Sequence, residues 1–171
     1  MDVGAQVLGQ IKSFGVDDRG KPVDYGAAVE EGTVLAQIDD SLYAADVLQD
    51  EAGVKRAQAE LLQAQAKASQ AERDWARAQK VGVSAALSQT TFDRYRADYE
   101  VAKASVGTAE AAVGVAEAAL QKARRNLSYC TIKSPVKGVV IDRRVNIGQT
   151  VVASLNAPSL FLIAKDLKKL E

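Results

Sequence analysis

Histidine is absent from the 171-residue chain. That removes the commonest general base, the usual Ser/His and Cys/His nucleophile pairs, and most zinc sites. The single cysteine, Cys130, excludes an intrachain disulfide and leaves the redox compartment open. Aromatic residues make up only 5%, so the alanine-rich middle of the chain reads as a slender helical assembly with little bulk to bury. Neither sign of charge is in excess, with 22 basic and 22 acidic residues, which argues against a nucleic-acid or anionic-membrane binder. No apolar run approaches the roughly 18 residues of a membrane span. Asp2 and the lack of an apolar h-region leave no secretory signal, so an export signal is expected outside this sequence. Nor is there a pair of carboxylates in a catalytic context, a phosphate loop or a metal-ligand cluster. The expectation is a protein that is not an enzyme and uses no metal and no cofactor.

What is present falls into three parts: 1–40, 41–128 and 129–171. In the first, Val3, Ala5, Val7, Gly9 and Ile11 alternate with mostly polar neighbours, the period of a half-buried strand. Gly15, Gly20, Pro22, Gly26 and Gly32 then punctuate short segments, and 33–38 reads as another strand. The third part behaves alike, with strands expected at 129–132, 138–141, 148–152 and 160–163. The two ends also match one another. Ala5-x-Val7-x-Gly9-x-Ile11 parallels Ser134-x-Val136-x-Gly138-x-Val140, and Val29-x-x-Gly32-x-Val34-Leu35 parallels Val145-x-x-Gly148-x-Thr150-Val151. Two similar β-halves around an insert imply one domain with internal pseudo-symmetry.

The insert is helical and once interrupted. A strict 3,4 alternation from Phe92 selects Tyr95, Tyr99, Ala102, Val106, Ala109, Val113, Ala116, Leu120, Ala123 and Leu127, all apolar or aromatic. Setting alanine aside, seven of the nine larger apolar residues from 89 to 127 lie on this seam, with Val101 and Val115 off it. In the first half the alternation gives Val54, Ala57, Leu61, Ala64, Ala68, Ala71, Trp75 and Ala78. A period of 3.5 is that of a coiled coil. The break at 81–87 is short, so the two helices are neighbours running in opposite directions. Each has about 40 residues and reaches ~60 Å. Folding back near residue 85 brings Trp75 towards Tyr95 and Leu61 towards Ala109. Gly53 and Gly114 fall at similar heights, each costing about 1 kcal/mol of helix propensity against alanine. Close backbone contact and simple neutrality both account for them. The expected fold class is therefore α+β, a split β-sandwich interrupted by a long antiparallel coiled-coil hairpin of the kind that serves as a spacer or docking surface.

The end segments Asp2-Val3-Gly4-Ala5-Gln6-Val7-Leu8-Gly9-Gln10-Ile11-Lys12, Asn126-Leu127-Ser128-Tyr129-Cys130-Thr131-Ile132-Lys133-Ser134-Pro135 and Gly148-Gln149-Thr150-Val151 resemble the two halves of a lipoyl (biotinyl-like) domain. Joined through a helical hairpin, they are similar to the HlyD-type membrane fusion proteins, or periplasmic adaptors, above all the MacA-type adaptors. The segment from Asp18 to Asp24 looks like an added loop. The resemblance implies a periplasmic adaptor of a tripartite efflux or secretion system, whose inner-membrane anchor and β-barrel domains lie outside this sequence. It implies a homo-oligomer, a ring of six, whose hairpin tips meet a TolC-like outer-membrane channel. The inner-membrane partner would be an ABC transporter, or alternatively an RND-type pump, contacted through the domains not included here. A lipoyl or biotinyl carrier is a further alternative. Its modified lysine must project from the turn between the halves, where this chain has Asp39-Asp40 and then the insert.

By the same resemblance, Arg77, Val81 and Ser88 match the spacing of the Arg…Leu…Ser tip pattern that docks on TolC-like channels, with valine replacing leucine. Arg77 offers five donors to a partner or simply flanks the helix in water. Ser88 also has a local role, capping the second helix through the amides of Thr90 or Thr91. The loop Ser154-Leu155-Asn156-Ala157-Pro158 aligns with the one that constricts the central channel in MacA-type rings. Leu155 and Asn156 are thus gate candidates, acting by apolar closure or amide hydrogen bonds, or the loop is an ordinary surface turn. Cys130 reads as a small buried strand residue before a reactive thiol, and Trp75, Tyr95 and Tyr99 as seam packing.

Overall fold

The structure, a computed structural model, describes residues 1–152 and 159–165. It has strands β1 (Asp2–Val3), β2 (Gly9–Phe14), β3 (Ala28–Val29) and β4 (Val34–Ile38), helices α1 (Ser41–Val81) and α2 (Gln89–Tyr129), then strands β5 (Thr131–Lys133), β6 (Gly138–Arg143), β7 (Thr150–Val151) and β8 (Phe161–Lys165). Two compact units result: Met1–Val47 with Ala123–Glu171, and Leu48–Lys122. The helices therefore run beyond the 48–122 unit at both ends. The reason is packing: Tyr43 in the first turn of α1 and Tyr129 at the end of α2 lie against the β-core. The Tyr43 hydroxyl also donates to the Leu8 carbonyl at 2.7 Å.

The β-unit holds two four-stranded antiparallel sheets, ordered β1-β8-β6-β3 and β5-β4-β2-β7. Exchanging β1 with β5, β2 with β6, β3 with β7 and β4 with β8 turns one order into the other. The register repeats as well. Ile11 pairs with Ile38 and Val140 with Ile163; Gly9 pairs with Val151 and Gly138 with Val29. Each ladder is irregular just after the equivalent residue, Ile11 or Val140. The inner faces bury Ile11, Leu35, Ile38, Val140, Phe161 and Ile163 essentially completely, with Phe14 edge-on to Phe161 at 6.2 Å.

Two expectations are corrected here. The alternating stretch from Val3 to Ile11 is not one strand. Val3 pairs with Phe161 in one sheet and Ile11 with Ile38 in the other, and residues 4–8 cross between them. Alternation persists because both sheets face the same core, so Val7 is buried without being in a strand. The partner of Gly148 is Gly26, not Gly32. Gly26 and Gly148 both adopt positive φ (79° and 84°), where glycine is favoured. Their amides donate to Val140 and Ile11 respectively, each at 2.8 Å, and the next amides, of Ala27 and Gln149, return to Asp24 and Asn146. The true repeat is Val23-x-x-Gly26-x-x-Val29 with Val145-x-x-Gly148-x-x-Val151.

With that alignment the extra length of the first half falls between Phe14 and Val23. It forms a small closed turn in which Val16 bridges Pro22 and the Asp17 carboxylate accepts from the amides of Arg19 and Lys21. Val23 and Asp24 belong to the shared frame. Arg143 holds this region: its guanidinium lies 4.8 Å from the Phe14 ring centroid and its Nε donates to Asp24 Oδ1 at 2.9 Å.

In the 48–122 unit, the helices pair along the expected seam. Every seam position from Phe92 to Leu127 is at least partly buried, and every other residue from 93 to 125 is exposed. The ring packed on Trp75 is Phe92, at 4.9 Å. A Cβ on Gly53, Gly107 or Gly114 would meet nothing within 4 Å, so close approach within the chain does not explain Gly53 and Gly114. By contrast, a Cβ on Gly138 would run into the Ala164 carbonyl oxygen and the Ile163 side chain.

These placements give opposite signs for one substitution type. Gly138→Ala should destabilise by about 1–3 kcal/mol through overpacking, whereas Gly53→Ala should stabilise by about 1 kcal/mol, both read by urea melts followed by circular dichroism. The hydrogen bond from Arg143, followed by one from the Tyr25 amide, holds the Asp24 carboxyl below its ordinary value of 3.8. Its contribution is complete above that value and fades as pH falls through the lowered folded-state value. Asp24→Asn should therefore lower the Tm slightly at pH 7, the group being largely solvated, and the difference should vanish in acid. A difference that persisted in strong acid would assign the effect to packing.

Candidate functional site: the hairpin tip

Helix α1 ends because Gly82 takes φ 68°, its amide still donating to the Ala78 carbonyl at 2.9 Å. This is the left-handed residue with which helices commonly finish. The chain then closes a tight turn, with reciprocal backbone hydrogen bonds between Ser84 and Leu87 at 3.0 and 3.1 Å. Ser88 starts α2: its Oγ accepts from the Thr91 amide at 3.3 Å and its carbonyl accepts from the Phe92 amide at 2.9 Å. Gln89 Nε2 donates to Asp93 Oδ1 at 2.9 Å. Below the turn, buried Ala78 and the Trp75–Phe92 pair zip the helix ends together. The tip is thus a pre-formed surface.

The structure places Arg77 and Val81 one turn apart on α1 and Ser88 across the turn at the start of α2. Arg77 is largely exposed but pairs with Asp74, three residues earlier, so part of its donor fork is already engaged. Val81 is 56% exposed, and so is Val83, at 53%. Val83 was not singled out from the sequence, although the pair of valines flanking Gly82 at the break between the helices was the available signal. The capping role read for Ser88 holds, with Thr91 as the amide donor. Leu155 and Asn156 lie outside the described residues.

Elsewhere, no group of His, Cys, Asp and Glu among the described residues could hold a metal ion. Cys130 is fully buried, and its Sγ donates to the Asn126 carbonyl at 3.6 Å. Burial, reinforced by Asp40 and Asp39, pushes its thiol up from the ordinary value, the reverse of what a nucleophile needs. No helix of the described residues is long and apolar enough to cross a membrane.

Residues 53–130 match the family described as "RND MFP, alpha-helical hairpin domain". Over 164 residues, 96% of this chain, the sequence is 30% identical to the macrolide export protein MacA of Escherichia coli O157:H7 and 32% identical to that of Yersinia pestis. The crystal structure of MacA from Actinobacillus actinomycetemcomitans superposes with a TM-score of 0.86 at 30% identity, over 96% of this chain and 48% of that one. The chain resembles the MacA-type membrane fusion proteins in both sequence and fold. It spans 42% of the length of the MacA relatives.

Because Ser88 caps α2, Ser88→Ala should cost about 1 kcal/mol of stability while Ser88→Asp costs little. Thermal melts of the two variants check this. Equal losses in both would remove the cap from the account.

Proposed function

We propose that this chain is the lipoyl-like and hairpin portion of a periplasmic adaptor, an assembly protein of a tripartite efflux or secretion system and not an enzyme. The observation that carries the reading is the tip: a hydrogen-bonded turn presenting Val81, Val83 and Arg77 at the end of two long helices, in a chain similar almost throughout to an export protein. Apolar side chains around an arginine suit docking between helices of a partner. There the valines supply contact area, and the guanidinium reaches carbonyls or carboxylates. The partner is a TolC-like outer-membrane channel. The full-length protein forms a ring of six and is anchored to the inner membrane, where it meets its transporter through domains outside this sequence. Within the ring, Leu155 and Asn156 are proposed to constrict the central passage.

The likeness to MacA favours an ABC transporter as the inner-membrane partner. The family description of residues 53–130 favours the second reading, an RND pump. The carrier alternative lacks its lysine: β4 ends at Ile38, and Asp39-Asp40 lead directly into α1.

Arg77→Asp and Val81→Asp should each abolish retention of a TolC-like channel in a pull-down, a loss of tenfold or more in affinity, while far-ultraviolet circular dichroism stays unchanged. Retention at the wild-type level in both would remove the tip from the mechanism.

A further inference from the structure

The two halves of the β-unit are tied by more than their sheets. The equivalence of Ile11 with Val140 makes Phe14 the counterpart of Arg143. The repeat of Val23-x-x-Gly26-x-x-Val29 in Val145-x-x-Gly148-x-x-Val151 makes Asp24 the counterpart of Asn146. Phe14 and Arg143 meet, with the guanidinium 4.8 Å from the ring centroid. Two residues related by a twofold can touch only beside its axis, so Arg143 stands at the centre of the pseudo-symmetry. From there it holds both turns. Its Nε donates to Asp24 Oδ1 at 2.9 Å. One terminal nitrogen donates to Asn146 Oδ1 at 2.9 Å and also to the Val145 carbonyl. Reaching two acceptors in different directions uses the fixed fork of an arginine, which the point charge of a lysine lacks.

Each turn is bonded across the halves as well, the Gly26 amide to Val140 and the Gly148 amide to Ile11. Beyond those matching bonds the turns differ. Gln10 Nε2 donates to the Gly148 carbonyl at 2.7 Å. The counterpart of Gln10 is Val139, which has no donor to offer the first turn. The Asp24 turn is instead reached from the other half by Arg143. That side chain is only 23% exposed, so its donors have little water to turn to. The next residues in the two turns are Tyr25 and Ile147, both well exposed. The halves thus present an apolar side chain to solvent at the same position, each beside an anchor on one guanidinium.

We propose that Arg143 is a coupling residue: by holding Asp24 and Asn146 at once, it makes the two turns, one from each half, open and close as a single unit. The inference concerns the β-unit alone and stands whether or not the hairpin tip docks on a channel. It also goes beyond fastening the longer connection between Phe14 and Val23. Local opening is cooperative where groups share bonds that break together. Here one guanidinium divides its bonds between residues separated by the whole helical insert. The Asp24 bond at Nε and the Phe14 ring together set the plane from which the terminal nitrogen reaches Asn146. When Asp24 lets go, that plane is no longer fixed, and the hold on Asn146 weakens with it. A disturbance at Tyr25 is thereby passed to Ile147. The coupling is unequal, because the second turn keeps Gln10 and the first has no such reserve.

Amide hydrogen exchange of the whole chain, resolved by NMR, tests this at Gly26 and Gly148. The Ile38 amide, bonded to the Cys130 carbonyl in the buried core, reports global unfolding and serves as the reference. Asp24→Ala removes the first anchor and no atom that bonds the second turn. Relative to Ile38, exchange should rise about tenfold at Gly26 and at least threefold at Gly148. Asn146→Ala should act in reverse, raising exchange at Gly26 by at least threefold. The two substitutions together should raise exchange by less than the product of their separate effects, as expected for groups acting through one shared partner. Gly148 exchanging at its wild-type rate in Asp24→Ala, or effects that simply multiply in the double variant, would overturn the proposal. Arg143→Lys keeps the charge and loses the fork, so it should speed exchange at both amides; wild-type rates at both would overturn the proposal too.

Discussion

A narrow seam in which alanine alternates with larger apolar and aromatic residues holds the long helices together. Over residues 48–122 only Ala57 and Ala78 are buried, and the remaining seam side chains are covered in part. The alanines of the seam each contribute little transfer free energy. The two ends compensate differently. At the tip, Trp75 on Phe92 concentrates apolar contact beside the turn. At the other end, Tyr43 and Tyr129 pack into the β-core. The helices are thus clamped where they begin and end, and between these points they leave most of their surface to water.

That economy of core has a consequence for function. A helix pair that buries a single stripe keeps two open faces. In this chain Leu48 and Leu62 are exposed on α1 and Val101 and Val115 on α2. Ordinary solvated helices carry their apolar residues singly and without register. Here they recur at heptad multiples. The tip differs in kind: its exposed valines flank a left-handed glycine and lead into a turn closed by the reciprocal hydrogen bonds of Ser84 and Leu87.

The β-unit shows what a split domain requires. Its halves are separated by the whole helical insert, yet Ile11 with Ile38 and Val140 with Ile163 keep the same register, down to an irregularity at the same place in each. Cys130 and Ser134, both buried, belong to this frame. The first half also tolerates a longer connection between Phe14 and Val23, because the Arg143 guanidinium stacks on Phe14 and binds Asp24 where the longer connection rejoins the shared frame.

Periodicity alone determined the hairpin. The 3,4 alternation named every seam residue from Phe92 to Leu127, since a coiled coil is a local pattern repeated and each position reports on its own burial. Ser88 as a cap was equally legible, being a contact over three residues. The β-unit was legible in kind but not in detail. Alternation cannot say which of two sheets a residue enters when both face one core, so Val3 and Ile11 were joined into one strand. Likeness of short Gly and Val motifs paired Gly148 with Gly32, whereas hydrogen bonds to Val140 and Ile11, more than 100 residues away in sequence, pair it with Gly26. The engagement of Arg77 by Asp74 and the exposure of Val83 also emerged only from the assembled structure. Pairing across a long insert, and exposure on a face, are relations between distant residues, and only the folded chain brings those residues together.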